Sequence, residues 1–230
     1  MIGIIGAMRV ETEALVAAME GGVSETVSGV TYTRGRLWGQ EAVVATCGVG
    51  KVFAALCAQT MILRYAPSLL INTGVAGTLT DRLHIGDMVI SDRLLQHDMD
   101  TSPLGDPPGM ISGLNQIYFP ADPAAAAALY RAAEESGAHV VRGTIASGDR
   151  FIADTASKEK IAADFGAVAC EMEGAAIAQV ATVNGTPFVV LRAISDGADE
   201  AGGAVDYPTF VRAAAAASVA ALRCFFETLG

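Results

Sequence analysis

The stretch Cys170-Glu171-Met172-Glu173-Gly174 follows an apolar, strand-like run, and a second such run ends in Arg192-Ala193-Ile194-Ser195-Asp196. In an open α/β sheet, ligands bind at the carboxyl ends of the strands. Carboxyl groups buried at such an edge have raised pKa values and can hold a proton near neutral pH. The two stretches therefore indicate general acid–base chemistry. The purely structural alternatives are a helix N-terminal charge for Glu173 and a helix cap for Asp196.

Around these stretches, short β-branched runs alternate with alanine-rich helical runs along the whole chain. The alternation predicts a three-layer α/β fold in which helices cover both faces of a central twisted mixed sheet. Because the sequence shows no repeat, linker or break in composition, we expect a single domain over residues 1–230. Strands are predicted at residues 2–5, 31–38, 41–46, 69–73, 87–95, 139–146 and 187–194, and helices at residues 10–20, 51–64, 123–136, 157–164, 173–183 and 207–229.

Composition restricts the partners and cofactors. A 230-residue chain with 52% hydrophobic residues can bury a full core without metal or disulfide support. Its net charge of -10 and its 15 scattered Lys and Arg residues argue against nucleic acid, because no basic surface would neutralise phosphates. The spacing of the four cysteines fits neither a zinc or redox motif nor a disulfide scaffold, and the three histidines are isolated. We therefore expect no metal, no cofactor and a small-molecule substrate.

The sequence predicts neither a signal peptide nor a membrane span. The apolar start at residues 1–5 lacks a basic flank and soon meets Arg9 and Glu11. The best candidate for a span, residues 213–222, lies between Arg212 and Arg223. It has only about half of the ~20 residues that a span needs. We expect a cytoplasmic protein.

Two glycine turns could face a ligand. Gly48-Val49-Gly50-Lys51 lacks the first glycine of a phosphate loop, and Val52 stands where Ser or Thr would bind magnesium. Phe53 occupies the third glycine position of a dinucleotide fingerprint, so that motif is excluded as well. In Ser147-Gly148-Asp149-Arg150-Phe151, the aromatic ring could stack on a planar base or belong to the core.

Taken in order along the chain, these and other short motifs resemble the 5'-methylthioadenosine/S-adenosylhomocysteine nucleosidases of the nucleoside phosphorylase superfamily. The similarity covers essentially the whole length and implies a nucleoside phosphorylase-like fold. The motifs are Gly3-Ile4-Ile5-Gly6-Ala7-Met8, Gly48-Val49-Gly50-Lys51, Asn72-Thr73-Gly74, Ser147-Gly148-Asp149, Phe151-Ile152, Glu171-Met172-Glu173 and Arg192-Ala193-Ile194-Ser195-Asp196.

The resemblance implies hydrolysis of the bond between adenine and a 5'-thio-substituted ribose. Asp196 matches the acid that protonates adenine N7, and the departing base leaves an oxocarbenium-like sugar. Glu11 matches the carboxylate that activates water, although the alanine-rich helix alone cannot distinguish Glu11 from Glu13. Glu173 matches the acceptor of the ribose hydroxyls, and Arg192 is implied to orient a carboxylate or the water. The remaining implied substrate contacts are Met172 on the sugar, Phe151 and the backbone of Ile152 on adenine, Ser195 within the acid motif, and the apolar Met8, Val49 and Tyr207.

Two positions depart from the family pattern. Val75 stands where the best-known nucleosidases carry serine, which puts the polar detail of the site in doubt. Leu104 stands at an often aromatic position on a Pro- and Gly-rich loop, residues 98–118. In the family this loop reaches a neighbouring subunit's pocket, so the resemblance implies a homodimer with Leu104 near the 5'-substituent.

Hydrolysis is favoured over phosphorolysis. The superfamily's phosphorylases hold phosphate beneath the sugar with paired arginines, whereas Arg9 is the only cation near Glu11 in this sequence. A futalosine-type nucleosidase of menaquinone synthesis is a competing hydrolase, because it would need the same acid and ribose contacts. A non-catalytic nucleoside-binding or storage protein is the remaining class, and the complete trio of Glu11, Glu173 and Asp196 argues against it.

Overall fold

The computed structural model of the protein describes residues 1–196 and 207–229, and for Asp196, Tyr207 and Pro208 the description is limited to the backbone. The strands are β1 (Ile2–Gly6), β2 (Met19–Val27), β3 (Val30–Leu37), β4 (Gln40–Thr46), β5 (Leu69–Thr78), β6 (Met88–Gln96), β7 (Phe119–Pro120), β8 (Val140–Ser147), β9 (Ala167–Glu171) and β10 (Phe188–Asp196). The helices are α1 (Arg9–Ala17), α2 (Lys51–Tyr65), α3 (Pro123–Glu135), α4 (Thr155–Phe165), α5 (Gly174–Asn184) and α6 (Tyr207–Glu227).

The strands form one mixed sheet, part of which closes on itself. β5 pairs in parallel with β1 and β10 and antiparallel with β9. β10 also pairs with β6, β6 with β8, and β8 with β9, so these five strands make a ring. Opposite β10, the first half of β5 pairs with β1, and from there the sheet continues through β4 and β3 to β2 at an edge.

Helices pack against both faces of the sheet. One apolar cluster joins the sheet to α2 and α5, and a second joins it to α3, α6 and Leu15 of α1. A smaller third cluster lies around Ile161 and Phe165 of α4. The predicted three-layer α/β arrangement with a central mixed sheet is confirmed.

The hairpin of β2 and β3 differs from the sequence prediction at the end of α1. A helix was predicted at residues 10–20, but α1 ends at Ala17 and Met19 already begins β2. This strand was missed because it is polar, largely exposed and carries Gly21 and Gly22, so it shows no alternation of buried and exposed side chains. It is an edge strand that pairs only with β3 among the described strands.

The middle of the sheet gives the second correction. A strand at residues 69–73 followed by a glycine turn was predicted, but β5 continues through Gly74-Val75-Ala76-Gly77 to Thr78. Pairing with β10 and β9 on its two sides keeps this stretch extended. Gly74 allows the close approach of side chains there and does not mark a change of direction.

Helix α6 is long and apolar enough to cross a membrane by length and composition, over Thr209–Glu227. Its apolar residues Ala214, Leu222 and Phe225 are buried against the sheet and α3. This is the packing of a core helix in a globular domain.

Candidate active site

A pocket lies over the carboxyl-terminal half of β5, where β1, β9 and β10 converge. The ends of β1 and β10 arrive parallel to β5, whereas β9 arrives antiparallel and pairs Cys170 with Gly77. The residues that line the pocket are Ala7, Met8, Glu11, Val49, Val75, Ala76, Gly77, Arg150, Phe151, Ile152, Cys170, Glu171, Met172, Glu173 and Ser195. The topology therefore gathers side chains that lie up to 188 residues apart in sequence, from Ala7 to Ser195.

Glu11 is buried in the third position of α1, and its carboxylate folds back over the start of the helix. One oxygen accepts hydrogen bonds from the amides of Ala7 (2.8 Å) and Met8 (2.9 Å), and the other accepts from the Val75 amide (3.1 Å). Burial raises the pKa of Glu11 above its usual range, although the Arg192 charge and the three amides oppose this. Glu13 instead faces solvent, 3.4 Å from exposed Arg9.

Arg192 is the largest fully buried side chain in the described part of the protein. Its Nη2 donates to Glu171 and, at 2.5 Å, to Asn72 Oδ1, and it lies 3.8 Å from Glu173. Asn72 in turn donates to the carbonyl of Ile5 at 2.8 Å, which ties the arginine to β1. Burial lowers the pKa of Arg192, but the three surrounding carboxylates raise it more, so the guanidinium stays charged.

Glu171 is the partner that holds Arg192. Its carboxylate also accepts from Ser147 Oγ and from the amides of Glu173 (3.0 Å) and Gly174 (2.8 Å). Burial raises the pKa of Glu171, but the Arg192 charge and these hydrogen bonds outweigh it and hold that pKa below the usual range. Glu171 is therefore a buried anion with all its bonding capacity used.

Glu173 has the opposite electrostatic environment. Its Oε1 accepts a hydrogen bond from the Gly50 amide at 2.9 Å, and among the described residues Oε2 has only the 3.8 Å approach of Arg192. Burial, followed by the nearby Glu171 charge, raises the pKa of Glu173 to about 7. Two neighbouring carboxyl groups thus titrate far apart, which is the usual sign of divided roles in a site.

Gly74 makes room for this arrangement. A Cβ atom at Gly74 would lie 2.5 Å from Arg192 Nη1 and 2.7 Å from Glu11 Oε1. Neither buried group could retreat without losing its hydrogen bonds. The glycine that resembled a turn signal is required because two charged side chains cross directly over the strand.

The apolar candidates surround the carboxylates. Met8, Val49, Val75, Phe151, Ile152 and Met172 all line the pocket together with Ser195. Ile152 is buried, whereas Phe151 is 58% and Val49 50% exposed, so these two stand at the open side. Val75 contributes an apolar wall, and its backbone amide supplies the contact to Glu11.

Leu104 is not brought to this pocket by its own chain. It ends a short 3-10 helix, Ser102–Leu104, and is 85% exposed.

The side chains of Asp196 and Tyr207 lie outside the described residues, so only their backbones are located, at the end of β10 and the start of α6. The backbone register shifts between Ile194 and Asp196, which places a bulge at Ser195. Bulges of this kind are common beside active sites.

Sequence reasoning missed several residues of the site. Glu171, Ser147 and Asn72 belong to the recognised motifs, but the sequence alone gave none of them a role. Arg150 lines the pocket mouth with its side chain 70% exposed, 3.9 Å from Asp154. The signal that could have found these acceptors is Arg192 itself, which stands in an apolar strand-like run. A charged side chain buried in such a strand must have buried acceptors.

The raised pKa of Glu173 predicts a pH-dependent stability. A carboxyl whose folded pKa is about 7 and whose ordinary pKa is 4.5 loses stabilisation as pH rises between those values. Glu173→Gln keeps an acceptor for Gly50 and removes the charge, so we expect the variant to be more stable than the wild type at pH 8, by up to about 3 kcal/mol. The advantage should shrink below about 1 kcal/mol at pH 5. Thermal unfolding at both pH values measures it, and a difference independent of pH would contradict the assignment.

Comparison with known proteins gives consistent matches over at least nine-tenths of the chain. A family model described as the phosphorylase superfamily matches residues 1–229. A 5'-methylthioadenosine/S-adenosylhomocysteine nucleosidase from Shewanella baltica is 40% identical over 211 residues, covering 91% of this chain and 89% of that protein. The Neisseria meningitidis nucleosidase of that name, in complex with methylthio-immucillin-A, has a TM-score of 0.93 at 36% identity and covers 99% and 98% of the two chains. Futalosine hydrolase of Helicobacter pylori has a TM-score of 0.92 at 33% identity, covering 99% and 97%.

Proposed function

The chain belongs to the phosphorylase superfamily, and we propose that it is a 5'-methylthioadenosine/S-adenosylhomocysteine nucleosidase. The reaction is hydrolysis of the N-glycosidic bond, which releases adenine and the 5'-thio-substituted ribose. The 40% sequence identity to the Shewanella baltica nucleosidase, over 91% of the chain, supports the substrate class. The buried carboxyl groups of the pocket support the reaction.

The observation that carries the proposal is the excess of buried carboxylates. Glu11, Glu171 and Glu173 are all buried in the pocket wall, and Arg192 is the one buried arginine in the described part of the chain. That guanidinium is already bonded to Glu171 and Asn72. Such a pocket stabilises positive charge developing on a ribose and repels a phosphate dianion. Water is therefore the acceptor that the electrostatics favour.

We assign each carboxyl group a separate role. Glu11 takes the proton of the attacking water and stabilises the cationic sugar, held in place by its three backbone amides. Glu173 accepts the ribose hydroxyls through the oxygen that the Gly50 amide leaves available. Asp196 protonates adenine N7, because anionic adenine is a poor leaving group. Glu171 touches no substrate in this scheme and positions Arg192.

The apolar residues bind the rest of the nucleoside. Phe151 stacks on adenine at the open side, and the backbone of Ile152 reads the base edge. Met172 packs on the sugar, while Met8 and Val49 surround the 5'-thio group together with Tyr207. Ser195 supports the acid from within the bulge. The positions of the described side chains around one pocket support these contacts.

The experiment that tests the substrate class compares base release from methylthioadenosine, adenosylhomocysteine and futalosine. Futalosine hydrolysis is the second candidate, because a solved futalosine hydrolase has nearly the same backbone. We expect kcat/KM for the two thio-nucleosides to exceed that for futalosine. The reverse order would replace the proposed substrate while keeping the hydrolytic reaction.

We also propose a cytoplasmic homodimer. Exposed apolar side chains recur along α2: Val52, Leu56 and Leu63 follow one another by one and two turns, and Phe53 lies next to Val52. The Asp98–Leu104 segment adjoins this helix, because Asp98 bonds to Lys51 at the start of α2. An exposed apolar surface of this kind fits a second copy of the chain. In the long loop, Ile111 is buried and Leu114 exposed, so the loop supplies fewer free apolar side chains than the sequence predicted.

Leu104→Asp tests the dimer. A carboxylate on this exposed position would have to be buried against the partner, so we expect weaker self-association and a KM for methylthioadenosine raised more than that for adenosine. Sedimentation at assay concentration and steady-state kinetics measure both effects. Leu229→Asp, at an exposed leucine beyond α6, is the matched control. A fully active wild-type monomer would exclude the proposed assembly.

A further inference from the structure

A small charged cluster joins the start of α2 to two loops beside the pocket. Lys51 Nζ lies 2.6 Å from Asp98 Oδ1, 3.9 Å from Asp149 Oδ2 and 3.0 Å from Gln96 Oε1. The Lys51 side chain is only 17% exposed, so its ion pairs are less screened than surface pairs. We call Lys51, Asp98 and Asp149 the Lys51 cluster.

Backbone hydrogen bonds close the cluster. The Lys51 amide donates to Asp149 Oδ1 at 2.7 Å, and the Asp149 amide donates to Asp98 Oδ2 at 2.8 Å. Each of the three residues therefore contacts both others. Lys51 begins α2, whereas Asp98 and Asp149 lie in the loops that follow β6 and β8, so the cluster fixes the positions of two loops relative to α2.

The residues next to the cluster in sequence either line the pocket or form a hydrogen bond to a residue that lines it. Gly50, before Lys51, donates its amide to Glu173, and Val49 and Phe151 line the open side. Gly50 has φ of +101°, and a Cβ there would lie 3.2 Å from Asp149 Oδ1, so turn and carboxylate are closely packed. The two successive amides at the start of α2 are thus occupied by Glu173 and Asp149, not available to a phosphate.

We propose that Lys51, held between Asp98 and Asp149, is a positioning residue for nucleoside binding. It sets the separation between the Gly50–Glu173 contact on the ribose side and Phe151 on the base side. Lys51 is not among the residues that line the pocket, so it acts through these neighbours. The inference rests on the proposed function, because ribose and base are the two groups whose separation it controls.

Lys51→Met tests the proposal by removing the charge and keeping much of the side-chain volume. Asp98 and Asp149 then repel each other, so we expect KM for methylthioadenosine to rise about tenfold. kcat should stay within about threefold, because Glu11 and Arg192 lie on other elements. In the double variant with Asp98→Asn, one of the repelling charges is gone, and KM should return to within about threefold of the wild type.

Controls separate positioning from loss of folding. Lys160→Met breaks an exposed pair of 2.6 Å with Asp164 on α4 and should change neither constant. If Lys51→Met does not fold, Asp98→Asn alone should raise KM about threefold. An unchanged KM in Lys51→Met, or a double variant no better than the single one, would overturn the proposal.

Calorimetric titration with adenine gives a readout that does not depend on turnover. We expect Lys51→Met to bind adenine more weakly than the wild type, because Phe151 is displaced. Failure of the wild type to release any base would refute the proposed function alone. The cluster would still be tested by this titration, since equal adenine affinity in both proteins would overturn its role.

Discussion

Glu11→Gln is expected to reduce adenine release by at least ~100-fold, the usual scale for removing a general base. The amide keeps the size of the carboxyl group, but it can neither take the proton of water nor stabilise a cationic sugar by charge. One of the three backbone amides that bond to Glu11 would face an NH2 group, so a stability loss of about 1 kcal/mol is also expected. Single-turnover kinetics with methylthioadenosine measure the chemical step directly.

Glu13→Gln is the matched control, two residues away on the same helix. Its carboxylate is exposed and, within residues 1–196 and 207–229, pairs only with Arg9, so the substitution should leave turnover within about twofold and stability within ~0.5 kcal/mol. Loss of activity in Glu13→Gln together with normal activity in Glu11→Gln would show that the catalytic base has been placed on the wrong face of α1.

Asp196→Asn is expected to slow adenine release by ~100-fold or more, because adenine would have to depart without a proton at N7. Binding of adenine should survive within about tenfold, since the shape and the hydrogen-bonding capacity of the side chain are retained. A riboside with a nitrophenol leaving group needs no proton at its leaving atom. Asp196→Asn should therefore hydrolyse it nearly as fast as the wild type does.

The nitrophenyl riboside is the internal control for methylthioadenosine, because the same Asp196→Asn protein is assayed with both substrates. A second control is Asp164→Asn, at a partly exposed aspartate paired with Lys160, which should behave as wild type with both substrates. Equal losses on methylthioadenosine and on the nitrophenyl riboside would show that Asp196 supports the site without donating the proton.

The fold could be predicted from the sequence where each element has its own local pattern. The apolar run of β1 and the alanine-rich α5 are recognisable in isolation. β2 was not, because a polar edge strand is held by backbone pairing to β3 and has no buried face. The predicted strand ended before Gly74, five residues earlier than β5 does, because glycines in a strand resemble a turn. Only the structure shows the side chains that cross over Gly74.

In the candidate site too, the features that the sequence could not predict are those that depend on the fold. The choice between Glu11 and Glu13 depends on which side of α1 faces the sheet, and residues two apart on a helix point in nearly opposite directions. The pairing of Arg192 with Glu171 depends on β9 and β10 both reaching β5, which no local pattern encodes. The sequence shows only the glycine turn before Lys51 and not the Lys51 cluster, because the two aspartates that pair with Lys51 come from distant loops.

The identity of the sugar product, measured with and without phosphate, tests most directly that this enzyme is a hydrolase. Methylthioadenosine is incubated with the protein in phosphate-free buffer and in buffer with inorganic phosphate, and the products are followed by adenine release and by phosphorus NMR. We predict equal rates in the two buffers, with free methylthioribose and no new phosphate ester. A strict requirement for phosphate, or the appearance of a sugar 1-phosphate, would contradict hydrolysis and make the protein a phosphorylase.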